Sequence, residues 1–207
     1  MFSSMLRRQN LWLGTLATFA LVALAFFVVS VVRQGAGGEK PKILATDPYV
    51  GKSNAGISIV VFTDFQCEFC KAEVETLKSV LATYQDKVRL VYKDFPLPTH
   101  QYARRAAEIA RCGQDQGKFW QMYDALFNHQ ADLGTVSYET LAQESQADAA
   151  ALASCMEKGD GSARIDASIA EARRLTITEV PTLYVNDLRY VGIIAEDDLR
   201  TAVEERL

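Results

Sequence analysis

The spacing of hydrophobic positions changes several times along the chain, and each change predicts a secondary-structure element. Residues 57–62 form a consecutive β-branched and apolar run, which is typical of a buried strand. From Cys70 onward the apolar residues fall at helical spacing, and alternation at Val88, Leu90 and Tyr92 then predicts a second strand. A strand, a helical crossover and another strand imply that the two strands are parallel.

The middle of the chain is predicted to be helical. Small residues recur at helical spacing between 103 and 110, and larger apolar residues do so between 119 and 126. Further helices are predicted at 137–145, over a segment that ends at Gly159, and from Ser162, whose hydroxyl can cap the last of them.

Strand character returns near the end of the sequence. Two short strands, 182–185 and 188–191, flank the turn-forming residues Asn186 and Asp187, which predicts an antiparallel hairpin. A helix over 196–207, with acidic residues in its first turn, closes the chain. This order of elements predicts an α/β fold interrupted by a helical insertion.

The N-terminal region carries an uncharged apolar run over residues 11–32. As a helix it would reach about 33 Å, enough to cross a bilayer core of about 30 Å. Arg7 and Arg8 precede the run, so the positive-inside rule places the N-terminus in the cytoplasm and the remainder outside. We expect a transmembrane anchor, and a cleaved signal peptide is the alternative.

The expected domain organisation follows from this division. A cytoplasmic N-terminus spans 1–10, the anchor 11–32, a flexible linker 33–45 and a folded domain 46–207, with the helical insertion at about 99–160.

Composition narrows the classes of function. The 207 residues are 49% hydrophobic and 23% charged, with a net charge of −4 and no dense basic run beyond the N-terminus. A nucleic-acid partner is therefore not expected, because binding to phosphates needs clustered Lys and Arg. The four cysteines would lie outside the cytoplasm, in a compartment that permits stable disulfides.

Cys67 and Cys70 enclose Glu68 and Phe69 directly after the first predicted strand, at the start of the predicted helix. At a helix N-terminus, unpaired backbone N–H groups and the helix dipole favour a thiolate. The thiolate is the attacking species, and a cysteine one turn later is close enough to attack a mixed disulfide. We therefore predict Cys67 as a solvent-accessible nucleophile and Cys70 as the resolving thiol.

Other interpretations of the cysteine pair have less support. A zinc site usually needs a second close pair of ligands, but Cys112 and Cys155 are 43 residues apart and the two histidines supply no matching pair. A purely structural disulfide between Cys67 and Cys70 would close a loop too small to constrain the unfolded chain. No metal and no cofactor are expected.

Several separated motifs give the chain a recognisable resemblance. They are 62–70 around the cysteine pair, 91–97 (Val-Tyr-Lys-Asp-Phe-Pro-Leu) followed by His100, 117–120 (Gly-Lys-Phe-Trp) and 178–183 (Thr-Glu-Val-Pro-Thr-Leu). Over about residues 46–207 the sequence resembles the DsbA-like branch of the thioredoxin superfamily, particularly its membrane-anchored bacterial members. The resemblance implies a thioredoxin-like fold and thiol–disulfide exchange.

The resemblance also implies roles for four further residues. In similar proteins the proline that matches Pro181 is cis and faces the active cysteines, so the backbone of Val180 would be exposed to an extended substrate peptide. Cysteines placed like Cys112 and Cys155 pair within the helical insertion in such proteins. An electron relay and two free buried thiols are the alternatives for this second pair.

The chain departs from many oxidising relatives at two places. They carry Pro-His between the cysteines, where this chain has Glu68 and Phe69, so we expect a less stabilised thiolate and a less oxidising couple. They also often carry a buried acid six residues before the nucleophile, where this chain has Val61. Asp64 and Glu68 are candidate proton acceptors, although both could be merely solvated. His100 is expected at a helix start without a catalytic role.

Three functions are compatible with the sequence. The leading hypothesis is a dithiol oxidase for extracytoplasmic proteins, attached to the inner membrane and facing the periplasm. The resemblance implies that a quinone-linked membrane partner of the DsbB or vitamin-K-epoxide-reductase type reoxidises it. A disulfide reductase or isomerase is the second possibility, and a tethered chaperone that holds peptides near Pro181 without redox turnover is the third.

Overall fold

A five-stranded β-sheet forms the centre of the computed structural model, which describes residues 39–207. Its strands stand in the order β1-β3-β2-β4-β5, and β2 and β3 are parallel whereas the other neighbours are antiparallel. The strands are β1 (Tyr49–Gly51), β2 (Ile57–Thr63), β3 (Val88–Asp94), β4 (Thr182–Val185) and β5 (Leu188–Val191).

The helices lie in three groups along the chain: one between the parallel strands, a succession after β3, and one after the hairpin. Over residues 39–207 they are α1 (Glu68–Tyr84), α2 (Ala103–Asp115), α3 (Phe119–Asn128), α4 (Tyr138–Ser145), α5 (Ala149–Lys158), α6 (Ser162–Arg174) and α7 (Glu196–Glu204). A single 3-10 turn, Gln130–Asp132, follows α3.

Strand β2 is buried on both faces, which explains its continuous apolar sequence. Ile59 and Val61 pack with α1 and α7 on one side of the sheet, whereas Val60 and Phe62 pack near the end of α6 on the other. Strands β2 and β3, which are joined by the crossover through α1, are parallel, as the sequence predicts. The predicted hairpin is also confirmed, and its turn residue Asn186 has φ of 55°.

Some predicted details are wrong. Strand β1, which pairs with β3, was not predicted, because three residues are too few to show an alternating pattern. Ser162 does not cap α6: Gly161 is the N-cap, and the Ser162 hydroxyl instead donates to Glu108 Oε1 at 3.0 Å. Helix α7 ends at Glu204 instead of reaching residue 207.

The expected cytoplasmic N-terminus, 1–10, and the expected anchor, 11–32, lie outside the described residues, as do residues 33–38 of the linker 33–45. Among residues 39–207, no helix combines the length and the apolar composition that crossing a membrane requires.

Helix α3 packs against β3 of the sheet through a cluster of aromatic rings. Phe65, Tyr92 and Tyr123 stand with their ring centroids 5.7 to 5.8 Å apart, and Phe127 lies 4.8 Å from Tyr123 and 4.9 Å from Phe65. Phe119 belongs to the same core.

Two covalent or ionic links hold the helices after β3 in place. Cys112 of α2 and Cys155 of α5 form a disulfide. The fully buried Arg111 donates through Nε and Nη2 to Asp94 Oδ2, at 2.8 and 2.5 Å, and so ties α2 to the end of β3. A charge buried in this way is stable only while its partner is present.

Removing the disulfide with Cys112→Ala and Cys155→Ala should lower the free energy of unfolding by about 4 kcal/mol, because the bridge closes a long loop in the unfolded chain. Urea denaturation followed by circular dichroism measures the change. The matched control is Cys67→Ala with Cys70→Ala, which removes two thiols but no long loop. Equal denaturation midpoints for the wild type and the first double variant would contradict the structural role.

Candidate active site

Cys67 occupies the N-cap position of α1, immediately beyond β2. Its backbone is extended, with φ of −83° and ψ of 119°, and its N–H donates to the Asp64 carbonyl at 3.1 Å. The side chain of Cys67 therefore stands where a Ser or Asp would normally accept the free N–H groups of the first turn. Only 6% of Cys67 is exposed, so this thiol is less open than the sequence led us to expect.

The surroundings of Cys67 favour its thiolate. Its pKa is lowered to about 6, chiefly because the Cys70 thiol donates to the Cys67 sulfur, with further help from the backbone N–H groups of Cys70 and Phe69. Burial and the negative charge of Asp64 act in the opposite direction. A pKa near 6 means that Cys67 is mostly a thiolate at neutral pH.

Cys70 has the opposite character. It is 2% exposed, and burial raises its pKa, as does its hydrogen bond to Cys67, while the Thr63 hydroxyl lowers it. The two thiols are thus differentiated by position: the one at the helix end ionises first, and the buried one keeps its proton. This asymmetry supports attack by Cys67 and resolution by Cys70.

The segment before β4 reaches the same sulfur. The Val180–Pro181 peptide bond is cis, and the Val180 carbonyl oxygen lies 3.7 Å from Cys67 Sγ, where it accepts from the neutral thiol. Val180 is 7% exposed and Pro181 is buried, whereas Thr178 and Glu179 are exposed.

Asp64 is a buried acid beside the nucleophile, at 2% exposure. Its Oδ1 accepts from the Gln66 N–H at 2.7 Å, and its Oδ2 accepts from the Leu97 N–H at 2.8 Å and lies 2.8 Å from His100 Nδ1. The interpretation of Asp64 as a solvated side chain is therefore wrong, although that of Glu68, which is exposed, holds. His100 precedes α2, which begins at Ala103, and contacts the site through Asp64.

Gln130 was not identified from the sequence. Its Nε2 donates to the carbonyl oxygens of Phe65 and Cys67, at 2.8 and 3.0 Å, and so fixes the loop that carries the nucleophile. On the same loop, Gln66 Oε1 accepts from the Tyr102 N–H at 2.7 Å. No local pattern marks a glutamine as the partner of residues more than 60 positions away.

Glu73 was also missed, although the sequence contains a signal. It lies three residues after Cys70, on the same apolar stripe as Val74 and Leu77, where a charged residue is unusual. Glu73 is 1% exposed, and burial raises its pKa to about 7. Its Oε2 accepts from the Ile194 N–H at 3.1 Å.

The family model described as thioredoxin matches residues 44–205, which is most of the chain. This chain belongs to the thioredoxin family.

Solved structures extend the likeness. DsbA2 of Pseudomonas aeruginosa is 26% identical, with a TM-score of 0.64 over 79% of this chain and 96% of that one. Oxidised BdbD of Bacillus subtilis is 20% identical, with a TM-score of 0.72 over 82% and 96% of the two chains. The predicted class, a DsbA-like thiol–disulfide oxidoreductase of the thioredoxin superfamily, is confirmed, as is its thioredoxin-like α/β fold.

A curated relative of different architecture also matches this thioredoxin-family chain. The Na(+)/H(+) antiporter NhaA 3 of Salinispora tropica is 30% identical over 154 residues, which are 74% of this chain. The matched part is only 24% of the antiporter, so the chain spans about a quarter of the length of that relative. The similarity therefore concerns a thioredoxin-like region and says nothing about ion transport by this chain.

Asp64→Asn should lower the pKa of Cys67 by about half a unit to one unit, because it removes the negative charge that opposes the thiolate. The pH dependence of iodoacetamide alkylation at Cys67 measures the shift, and its midpoint should move to lower pH. Glu68→Gln removes an equal charge from an exposed position and should move the midpoint less. A larger shift in Glu68→Gln than in Asp64→Asn would reverse the assignment.

Proposed function

We propose that this protein is a dithiol oxidase that introduces disulfides into extracytoplasmic proteins through Cys67 and Cys70. The observation that carries the proposal is the pairing of a sulfur whose pKa is lowered to about 6 with a buried thiol whose pKa is raised. A stabilised Cys67 thiolate favours the reduced enzyme, so the oxidised enzyme tends to take electrons from its substrates.

The reaction begins from the Cys67–Cys70 disulfide. A substrate thiolate attacks Cys67 Sγ, which breaks the bond to Cys70 and forms a mixed disulfide between Cys67 and the substrate. A second substrate thiolate then attacks the substrate sulfur of this bond, and Cys67 leaves as the thiolate that the helix end stabilises. Two electrons pass from the substrate, which gains a disulfide, to the enzyme. Of the two protons that the substrate thiols lose, one is taken up by Cys70 and the other goes to solvent, since Cys67 stays a thiolate.

The surface around the cysteine pair suits unfolded peptide segments. Phe69, between the cysteines, is 63% exposed, and Val191 and Ile193 are 50% and 51% exposed. Val191 pairs with Thr182, and the Gly192 N–H donates to the Pro181 carbonyl at 2.8 Å, so these apolar side chains flank the proline. Substrates would be held by apolar contact and by the backbone near Val180, with little demand on their sequence.

The proposed location is the periplasmic side of the inner membrane, with residues 11–32 as a single-pass anchor and 33–45 as a tether. The Cys112–Cys155 disulfide supports an oxidising compartment. We propose that a membrane protein of the DsbB or vitamin-K-epoxide-reductase type takes the two electrons from the reduced pair. Reduced or wrongly oxidised extracytoplasmic proteins are the proposed clients.

Cys67→Ser should abolish oxidation of a reduced, unfolded test protein, because no sulfur remains at the helix end to carry the mixed disulfide. Cys70→Ser should accumulate covalent enzyme–substrate adducts when it is mixed with a disulfide-containing test protein, because Cys67 attacks that disulfide and the resolving thiol is missing. Non-reducing electrophoresis after acid quenching separates the species, and Cys112→Ala with Cys155→Ala serves as the control for loss of other sulfurs. Full oxidation by Cys67→Ser would refute the assignment.

The alternative direction, disulfide reduction or isomerisation, is favoured by one feature: the Cys67 pKa of about 6 is less extreme than in the strongest oxidants. Cys-x-x-Cys proteins run from reductants with a nucleophile pKa of about 7 and a potential of about −270 mV to oxidants with values of about 3.5 and −120 mV.

Equilibration with glutathione should therefore give a potential of roughly −240 to −180 mV for the Cys67–Cys70 couple. Phe69→His should make the potential less negative, since a cation beside Cys67 stabilises the thiolate. A wild-type potential near −270 mV would favour the reductase instead.

A further inference from the structure

Glu73 differs from the other buried acids among the described residues in what it contacts. Asp47 forms an ion pair with Lys93, and Asp94 with Arg111. Glu73 faces no cation: its Oε2 accepts one backbone N–H, and its Oε1, although buried, has no hydrogen-bond partner among residues 39–207. An unsatisfied buried carboxylate oxygen costs free energy, so its retention calls for an explanation.

The position of Glu73 connects it with the resolving cysteine. Glu73 and Cys70 are three residues apart on α1, where side chains are neighbours with Cβ atoms about 5–6 Å apart, and both belong to the buried face. Burial chiefly raises the pKa of the Tyr123 phenol, and negative charge on Cys70 or Glu73 raises it further. Cys70 and Tyr123 belong to the same buried cluster.

The other side of Glu73 reaches the substrate-binding segment. Ile194, which donates its N–H to Glu73, is two residues beyond Gly192, and Gly192 is bonded to the Pro181 carbonyl. The carboxyl group therefore lies beneath the active site, between α1 and the loop after β5.

We propose that Glu73 exchanges a proton with Cys70 during thiol–disulfide exchange. The inference rests on the proposed exchange chemistry and deepens it. When Cys70 resolves a mixed disulfide, the Glu73 carboxylate takes the proton of the Cys70 thiol. The Cys70 sulfur then forms its bond to Cys67 Sγ, the bond between Cys67 and the substrate breaks, and the substrate leaves as a thiolate. In the oxidising direction the steps reverse, and protonated Glu73 returns the proton to the departing Cys70.

Cys70 needs such a partner because its own proton is held firmly. Burial raises the pKa of Cys70, so almost no thiolate forms there at neutral pH without a base. A carboxyl group whose pKa is raised to about 7 is present in both protonation states at neutral pH, as a group that gives and takes a proton must be. Asp64, the other buried carboxylate nearby, is already engaged by two backbone N–H groups and by His100.

Reaction of the reduced full-length protein with excess Ellman's reagent tests this proposal. Attack by Cys67 releases the first thionitrobenzoate and leaves a mixed disulfide on Cys67. Attack by Cys70 on Cys67 Sγ then releases the second, at a rate independent of the reagent concentration. The two phases report separately on the two cysteines, so a failed nucleophile is distinguishable from a failed proton exchange.

Glu73→Gln should leave the first phase within about twofold of wild type and slow the second about a hundredfold at pH 7, the usual scale of general-base catalysis. The glutamine keeps an oxygen for the Ile194 N–H. In the wild type, the rate of the second phase should rise with pH and level off above pH 7, as Glu73 becomes ionised. In Glu73→Gln it should rise tenfold per pH unit without levelling.

The matched control is Glu75→Gln, which removes the same charge from an exposed position on the same helix and should change neither phase. A second phase in Glu73→Gln with the wild-type rate and pH profile would overturn the proposal, as would equal slowing of both phases. If Glu73→Gln does not fold, the wild-type profile decides: a second phase that rises without levelling between pH 5 and 9 overturns the proposal.

Discussion

The whole site depends on one constraint: the sulfur of Cys67 stands at the N-cap position of the helix that carries it. No side chain accepts a capping hydrogen bond at the start of α1, and the backbone N–H groups of Phe69 and Cys70 lower the pKa of the Cys67 thiol at the N-cap position. An anion there satisfies backbone donors that would otherwise be unpaired, so the start of the helix and the acidity of the thiol have the same physical cause. The Cys70 thiol strengthens the cap only while it remains protonated. The two sulfurs of the redox pair therefore have different roles: the Cys67 sulfur accepts the hydrogen bond that the Cys70 thiol donates.

This geometry depends on the position of the loop that carries Cys67. The residues that hold this loop come from distant parts of the chain. Asp64 links the loop to Leu97 and His100, and Gln130, in the 3-10 turn after α3, donates to two carbonyl oxygens of the loop. The helices after β3 are in turn held by the disulfide at Cys112 and by the buried pair of Arg111 and Asp94. The helical insertion thus contributes to the chemistry by holding the Cys67 loop in place, since it supplies Gln130 but no reacting atom.

The parts of this arrangement that could be predicted are those that local patterns encode. The strand–helix–strand unit follows from a change of hydrophobic period, and the Cys67–Cys70 pair follows from its place at that change. The burial of Asp64 could not be predicted in this way, because its donors lie 33 and 36 residues further along and a charged residue in a turn is normally solvated. Strand β1 was missed because its three residues gain their structure only from pairing with β3.

Two carboxyl groups near the sulfurs show how the environment separates their roles. Asp64 accepts hydrogen bonds from two backbone N–H groups and lies beside His100, and its negative charge opposes the Cys67 thiolate. Glu73 receives a single N–H, so its ionised form is poorly supported and its pKa rises to about 7. A satisfied carboxylate can tune a neighbouring thiol but has little tendency to take its proton, whereas an unsatisfied one gains stability by doing so. The donors around each acid, more than its distance in sequence from Cys67, therefore decide which carboxyl group can take part in proton transfer.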